Sequence, residues 1–267
     1  MAKKIMSEND IREEIKNYSK KIPVITLNEK EKGKSFKFYV PNSTALWRAE
    51  SLYSKEPITI SWIKKFKKNK IFFDIGANVG MYTIFSSIFS DVEVYSFEPE
   101  SNNFQILNQN IILNNLSKKV TAYPFGISDK LAITNLYLSN WEKGGSHNTV
   151  GVKLNHNLKN FKPYFEQGTL SVTLDDLITK FKLPIPNYLK IDVDGIEYKI
   201  IKSSKKLLKQ KKLESILIEI NGSRKEDKEI IKTLEKNGFK YNKAQVDSAT
   251  RMEGPHKGYA EYLFYRN

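Results

Sequence analysis

The stretch that organises the rest of the chain reads Asp74-Ile75-Gly76-Ala77-Asn78-Val79-Gly80. It joins a short apolar run at residues 71–73 to a segment at residues 80–90 whose apolar residues recur at helical spacing. Gly76 allows a sharp turn and a close approach to a ligand, and Gly80 allows tight contact where the helix begins. The pattern predicts a strand–loop–helix unit that binds a ligand at its loop.

The next apolar run, at residues 92–97, ends in Glu98-Pro99. One strand–helix–strand unit separates Glu98 from Asp74, which is the spacing that brings a carboxylate to a ribose diol. The loop reads D-x-G-x-x-x-G rather than the G-x-G-x-x-G of dinucleotide sites. A pyrophosphate would be repelled by Asp74, whose carboxylate suits either ordering the loop or facing a cationic ligand. The loop therefore indicates a ligand with a ribose and an ammonium group.

Strand-like and helix-like segments continue to alternate towards the carboxyl terminus. Further strands are predicted at residues 120–125, 133–138, 170–173, 188–191, 216–220, 239–242 and 262–265. Further helices are predicted at residues 101–116 and 196–209, and after a capping box formed by Ser223 and Glu226, up to residue 237. This alternation is typical of an α/β fold with a doubly wound, mostly parallel sheet, whose ligands lie beyond the carboxyl ends of the strands.

The N-terminal part of the chain has a different pattern. We expect a polar helix at residues 7–20, a hairpin formed by residues 22–27 and 35–40, and a helix at residues 59–66. We therefore divide the chain into a helix and hairpin extension and cap at residues 1–66 and a main domain at residues 67–267.

Composition excludes several classes of protein. The chain has 267 residues, 40% of them hydrophobic, and no apolar run long enough to span a membrane. Its first residues turn acidic before any apolar core, which is atypical of a signal peptide and makes the cytoplasm the simplest location. Cysteine is absent, so disulfides and a cysteine nucleophile are excluded. The net charge of +14 comes from scattered lysines with few arginines, which indicates a solvated surface more than a nucleic-acid interface.

Several motifs together resemble one family. Residues 74–80 (DIGANVG) and 97–99 (FEP), with stretches at 47–63, 172–177, 189–197 and 218–220, resemble the FkbM family of class I S-adenosylmethionine-dependent methyltransferases. The resemblance covers about residues 45–265. Residues 1–40 and the loop at 246–259 match nothing in it, so we expect acceptor choice to lie there.

The resemblance implies a Rossmann-like sheet of seven strands with the last one antiparallel. It also implies S-adenosylmethionine as cofactor and methylation of a hydroxyl oxygen on a small-molecule, sugar or glycan acceptor. The residues that match the cofactor motifs are Asp74, Gly76, Ala77, Asn78, Gly80, Tyr82, Glu98, Pro99 and Asp192.

The catalytic candidates follow the strand at residues 188–191. In the resembled fold Asp192 lies beside the transferred methyl group, and a base there helps a hydroxyl acceptor to react. If the strand runs on to Asp194, both carboxylates share a face. Glu197 is either a further candidate or a partner of the helix dipole. His147 and His256 are alternative bases by their ordinary pKa, and His256 joins Asp192 and Asp194 as our predicted catalytic set.

Three alternatives stay open at this stage. Asp192, Glu219 and Asn221 could hold a magnesium ion, although the motifs require none and we predict no metal. The positive charge suggests an alternative function, a nucleic-acid and specifically RNA methyltransferase. The chain has no D/N-P-P-F/Y motif after Asp192 and no cysteine, and both absences disfavour this alternative. A non-catalytic cofactor-binding protein is disfavoured by intact carboxylates at positions 74 and 98. Two roles are open for a group of residues in the N-terminal segment: they fold over the cofactor, or they serve only packing and surface charge. These residues are Trp47, Arg48, Lys55 and Glu56.

Overall fold

The computed structural model describes residues 6–18, 22–254 and 256–266. Its strands are, in chain order, β1 Val24–Glu29, β2 Lys34–Tyr39, β3 Ile71–Ile75, β4 Glu93–Phe97, β5 Val120–Tyr123, β6 Gly126–Ile127, β7 Ala132–Leu138, β8 Thr149–Val150, β9 Phe165–Val172, β10 Tyr188–Ile191, β11 Ser215–Asn221, β12 Lys240–Tyr241 and β13 Tyr259–Tyr265. Its helices are α1 Glu8–Tyr18, α2 Ser43–Glu50, α3 Pro57–Ile63, α4 Met81–Ser90, α5 Ser101–Leu113, α6 Leu174–Thr179, α7 Glu197–Ser203, α8 Lys225–Lys236 and α9 Lys243–Ala249, with a 3-10 turn at Leu207–Lys209.

The central sheet contains seven of the described strands, in the order β12-β13-β11-β10-β3-β4-β5. The pairs joining β11, β10, β3, β4 and β5 are all parallel, whereas β13 runs antiparallel to both of its neighbours. Growth of the sheet reverses at β3, which places the topological switch point between β3 and β10. The predicted doubly wound, mostly parallel sheet with an antiparallel last strand is confirmed.

The strand register brings the predicted site residues to one edge of this sheet. Ile75 is opposite both Phe97 and Ile191, and Ile191 is in turn opposite Ile218. The residues that follow these positions are Gly76, Glu98, Asp192 and Glu219. All four therefore lie at the carboxyl edge, on both sides of the switch point.

Both faces of the central sheet are covered, which explains why its strands are apolar on both sides. On one face, Phe73, Ile191 and Ile218 belong to a core shared with α6, α7 and α8. On the other face, Phe72 and Leu217 belong to a core shared with α4, α5 and much of residues 36–66.

The N-terminal segment is tied to the sheet by specific contacts. The indole of Trp62 donates a hydrogen bond to the Ser215 hydroxyl (2.9 Å), and the Phe66 ring stacks on Tyr188 with centroids 3.8 Å apart. Phe36 and Phe38 of β2 are almost fully buried in the same core. Residues 36–66 thus contribute one wall of the main core.

A second, smaller sheet lies outside the predictions. It has the order β6-β9-β7-β8 among the described strands, and its main component is the antiparallel pair β7 and β9. The sequence indicated both strands but not that they leave the central sheet. One face of the pair is exposed, as Ile133 at 93% exposure shows, so its alternating pattern resembles that of an ordinary half-buried strand.

Two local predictions were wrong. The helix predicted at residues 196–209 ends at Ser203, because the Asp175 carboxylate accepts the amides of Lys206 and Leu207 and starts a separate turn. The capping box does not form: the N-cap of α8 is Arg224, and the Ser223 hydroxyl instead donates to Asn221.

The strand before the catalytic candidates has the predicted bounds. The strand β10 ends at Ile191 rather than running on to Asp194, whose φ of 60° places it in the left-handed region. Asp192 and Asp194 therefore do not share a strand face. Further along, the expected loop at residues 246–259 begins as the end of α9. In the described part of the chain, every helix is too short or too polar to cross a membrane.

Candidate functional site

A cavity of about 440 Å³ opens at the carboxyl edge of the sheet, over the switch point. Seven predicted site residues line it: Gly76, Asn78, Glu98, Pro99, Asp192, Asp194 and His256. Four others lie behind its wall: Asp74, Ala77, Gly80 and Tyr82 are all buried. A volume of this size is in the usual range for a small-molecule or cofactor site.

The turn at Gly76 brings bare backbone to the cavity floor. Gly76 has a φ of 77°, and a Cβ atom added there would overlap the carbonyl oxygen of Asp192. The amides of Gly76 and Ala77 both donate to the Phe97 carbonyl, which closes the loop against β4 (3.0 and 3.1 Å). Only glycine fits here, because the backbones of β3 and β10 approach each other beneath the site.

Glu98 presents an oriented carboxylate to the same cavity. One oxygen accepts the Asn78 amide and the other accepts the Glu100 amide, both at 2.8 Å. Burial raises the pKa of Glu98 to about 8, despite these two amides that favour the charged form. Each oxygen keeps a free lone pair, so the group can accept two hydroxyl donors such as a ribose diol.

The cavity also has an apolar part. Ile127, Leu136, Val150 and Ile196 line this part, which suits a flat purine. Gly76, Glu98 and this apolar part together fit a nucleoside. The bare backbone at Gly76 allows close approach, Glu98 can accept the ribose hydroxyls, and the apolar part can hold the base.

Asp74 supports the loop from below. Its Oδ2 accepts the Thr83 hydroxyl at 2.6 Å, and Thr83 Oγ1 is also 2.7 Å from Ser96 Oγ. Asp74 is 1% exposed, and burial raises its pKa. This placement favours the first of its two proposed roles, ordering the loop. Gly80 likewise serves packing, because a Cβ there would overlap the Leu107 side chain.

A buried lysine dominates the electrostatics of the other end. Lys190 of β10 is 2% exposed and forms an ion pair with Asp192 at 2.8 Å. Burial alone would lower the pKa of Lys190, but Asp192, Glu56 and Asp74 raise it overall. Burial alone would raise the pKa of Asp192, but Lys190 and Lys55 hold it well below its usual range. Asp192 is therefore a permanent carboxylate anion.

Acidic side chains surround this pair. Glu56 is buried, pairs with Lys55 at 2.5 Å and accepts the Thr59 hydroxyl at 3.0 Å. On the next strands, Glu219 and Glu261 are opposite each other and share the guanidinium of Arg251, at 2.5 and 3.1 Å. Of these groups, the cavity reaches Lys55, Glu219 and Arg251. The sequence showed Lys190 only as an odd charge in an apolar strand.

The roof of the cavity is the segment at residues 139–148. The Arg48 guanidinium donates to the Gly144 carbonyl, and the Asn78 amide side chain donates to the Gly145 carbonyl at 2.7 Å. Asn103 of α5 accepts the Gly144 amide (2.8 Å) and donates to Gly145 (3.1 Å). Although this segment contains two adjacent glycines, the side chains of Arg48, Asn78 and Asn103 all hold it. No sequence signal distinguished Asn103 from the other asparagines of α5.

The histidines meet at the far end of the cavity. The rings of His147, His156 and His256 lie with centroids 4.6–5.4 Å apart, although three separate loops carry them. Burial, together with His156 and His147, lowers the pKa of His256 to about 4. Among the described residues, no group of histidine and acidic side chains is arranged to hold a metal ion. Asn221, once a possible magnesium ligand, accepts from Ser223 instead.

Two remaining acidic candidates shape the turn after β10. The Asp194 carboxylate accepts the His147 amide at 2.7 Å, which joins the roof to this turn. Glu197 accepts the amides of Val193 and Gly195 at 3.2 Å, and burial raises its pKa to about 7. Glu197 is buried and stabilises the turn, which agrees with its structural interpretation.

Comparison with known proteins identifies the class. The model of the methyltransferase FkbM domain matches residues 74–241, more than half of the chain. The sheet order, the loop at 74–80 and Glu98 define a class I, Rossmann-like methyltransferase that uses S-adenosylmethionine. The chain belongs to the FkbM methyltransferase family.

A curated relative is the hexuronic acid methyltransferase AglP of Haloferax volcanii, which is 21% identical over 189 residues, covering 71% of this chain and 72% of the relative. Among solved structures, the METTL16 methyltransferase domain matches with a TM-score of 0.49 and 11% identity, over 98% of this chain and 92% of that one. TYW2 of M. jannaschii, solved with AdoMet, matches with a TM-score of 0.43 and 13% identity, over 91% and 87%.

Proposed function

We propose that this methyltransferase acts on a hydroxyl oxygen of a sugar or glycan. The observation that carries the proposal is that Trp47, Lys55 and Arg251 line the same cavity as Asp192. We call the part of the cavity formed by these residues the acceptor chamber. Trp47 is 52% exposed and offers an aromatic face, and the charged groups offer hydrogen bonds. An aromatic face beside directional polar groups suits a ring with one apolar face and many hydroxyls. The hexuronic acid methyltransferase relative supports the same acceptor class.

The proposed roles divide the cavity into two ends. The nucleoside of the cofactor occupies the end with Glu98, and its cationic methionyl part faces the permanent anion of Asp192. When bound, S-adenosylmethionine supplies an electrophilic methyl group. Asp194 and His256 line the cavity together with Trp47, Arg48 and Lys55. These three residues of the N-terminal segment therefore complete the acceptor site. The charges of the acceptor chamber orient the acceptor, which lowers the entropic part of the barrier.

An acceptor screen with methyl-labelled S-adenosylmethionine tests the proposal. The panel contains methyl glycosides of hexoses and of hexuronic acids, with bulk RNA as the comparison arm. We expect label in a glycoside as a methyl ether, located by tandem mass spectrometry and resistant to mild alkali. Label in RNA would contradict the acceptor class. A product that mild alkali hydrolyses would be a methyl ester and would contradict the hydroxyl oxygen. A second test is Trp47→Ala, which should raise the KM of the glycoside and leave S-adenosylhomocysteine affinity unchanged.

A further inference from the structure

We propose that Glu219 is the catalytic base that accepts the proton of the acceptor hydroxyl. The inference rests on the proposed function, because only a hydroxyl acceptor has a proton to lose. The register pairs Ile191 with Ile218, so Asp192 and Glu219 follow as neighbours on adjacent parallel strands. Both side chains line the cavity. In the proposed arrangement the transferred methyl group lies beside Asp192.

The other carboxylates near Asp192 are already engaged. Asp192 is paired with buried Lys190 at 2.8 Å, and this pairing makes it a weak base. Asp194 accepts the roof amide of His147 at 2.7 Å. Breaking either contact would leave a buried charge or donor unsatisfied, which is costly. This disfavours the sequence-based prediction that Asp192 or Asp194 accepts the proton.

Glu219 has the basicity that the reaction needs. Burial and the nearby Asp192 anion raise its pKa to about 8, although Arg251 acts in the opposite direction. A base works best when its pKa is near the working pH. His256, the third predicted catalytic residue, is a poor alternative because burial and the other two imidazoles lower its pKa to about 4.

Arg251 allows Glu219 to change its charge. The guanidinium contacts Glu219 at 2.5 Å and Glu261 at 3.1 Å. When Glu219 takes a proton, Arg251 therefore keeps a carboxylate partner, and protonation leaves no unpaired buried cation. Before the reaction, the same contact fixes the position of the Glu219 carboxylate. Arg251 is thus a positioning residue, and Glu261 is its reserve partner.

The acceptor hydroxyl loses its proton as its oxygen gains the methyl group. The acceptor oxygen forms the new O–C bond as the S–C bond of the cofactor breaks, and the electron pair of that bond stays on sulfur. The hydroxyl proton passes to one oxygen of Glu219. Glu219 then releases this proton to solvent through the open mouth of the cavity, which restores the base.

The test compares Glu219→Gln with Glu261→Gln in the full chain. Both variants remove one carboxylate partner of Arg251, but Glu261 is 5% exposed and lies outside the cavity lining. With the best glycoside of the screen, we expect Glu219→Gln to lower the single-turnover rate about 100-fold or more. Its S-adenosylhomocysteine affinity should stay within about threefold of wild type. Glu261→Gln removes the reserve partner of Arg251 but leaves the base itself in place, so we expect it to lower the rate much less than Glu219→Gln does.

The pH profile separates a base from a structural residue. At saturating cofactor, the wild-type rate should rise as Glu219 deprotonates, with an apparent pKa of about 8. Glu219→Gln should lose this rise and Glu261→Gln should retain it. Added formate should restore part of the rate of Glu219→Ala, because a small carboxylate can enter the space left by the side chain.

A spectroscopic measurement is independent of turnover. Infrared difference spectra between about pH 6 and about pH 10 should show a protonated carboxyl band in wild type and Glu261→Gln that is reduced in Glu219→Gln. If Glu219→Gln has the rate and the carboxyl bands of wild type, and the wild-type product is a methyl ether, Glu219 is not the base and the proposed function still holds. A methyl ester product, or no labelled glycoside at all, would overturn the proposed function and the base together.

Discussion

At the scale of single residues, the most informative position is Gly76. Its φ of 77° and the nearby Asp192 carbonyl leave no room for a side chain. The same contact links the cofactor loop to the segment that carries the Asp192 carboxylate. A change at Gly76 is therefore expected to affect both ends of the site. Glycine is needed at position 80 for a different reason, because a Cβ there would overlap the Leu107 side chain of α5.

The first prediction concerns Gly76→Ala. The added methyl group must displace the Asp192 backbone, and overpacking of this kind costs about 1–3 kcal/mol in addition to the strain of the left-handed conformation. We expect S-adenosylhomocysteine affinity, measured by calorimetry, to fall about tenfold or more. Gly238→Ala is the matched control, because Gly238 has a φ of 84° and nothing within 4 Å of an added Cβ. Equal affinity in the two variants would show that the close approach is unimportant.

At the scale of elements, the roof segment and α5 act together. Asn103 is 1% exposed, and both ends of its side-chain amide are used on Gly144 and Gly145. Arg48 of α2 and Asn78 of the cofactor loop reach the same two glycines. Elements distant in sequence therefore hold the two roof glycines, through the side chains of Arg48, Asn78 and Asn103.

The second prediction is that Asn103→Ala loosens the roof. The substitution removes two buried hydrogen bonds and leaves the Gly144 amide unsatisfied, at a cost of about 1–3 kcal/mol. We expect weaker cofactor binding and faster amide hydrogen exchange at residues 143–147. Asn108→Ala is the control on the same helix, since the Asn108 side chain donates only to Phe104 among the described residues. Protection that stays equal in both variants would contradict the role of Asn103.

At the scale of the whole molecule, carboxyl groups are buried around the cavity in a protein of net charge +14. Glu98, Glu197 and Glu219 have pKa values of about 8, 7 and 8, mainly because of burial. In the unfolded chain these groups ionise near 4.5. The folded protein therefore keeps protons that the unfolded chain has lost. Burying these three carboxyls therefore lowers the stability of the folded protein at neutral pH.

The third prediction follows from this difference in bound protons. Because the folded state binds more protons between about pH 5 and about pH 8, its free energy of unfolding should decrease as pH rises through this range. The melting temperature of the cofactor-free protein should be lower at about pH 8.5 than at about pH 6. Glu98→Gln should flatten the slope, and comparing slopes removes the general effect of net charge. A slope that is identical in Glu98→Gln would show that this carboxyl ionises normally.

Local patterns in the sequence determined the fold class and the cofactor end of the site. The loop at residues 74–80 and Glu98 belong to one strand–helix–strand unit, so their geometry depends on backbone preferences that short segments express. The strands at the switch point follow from the same periodicity. The second sheet did not follow from it, because a strand of the exposed pair β7 and β9 and a half-buried strand of the central sheet share one alternating pattern.

Only the tertiary structure decided how the charges at the acceptor end are divided. Asp192 and Glu219 look alike as acids that end neighbouring strands. Lys190 lies beneath Asp192 and holds its pKa low, whereas burial and the Asp192 anion raise the pKa of Glu219, although Arg251 from a distant loop contacts it. The meeting of three histidines from separate loops is a contact of the same kind. A pKa depends on burial and on neighbours in space, and neither quantity is encoded in the spacing of residues along the chain.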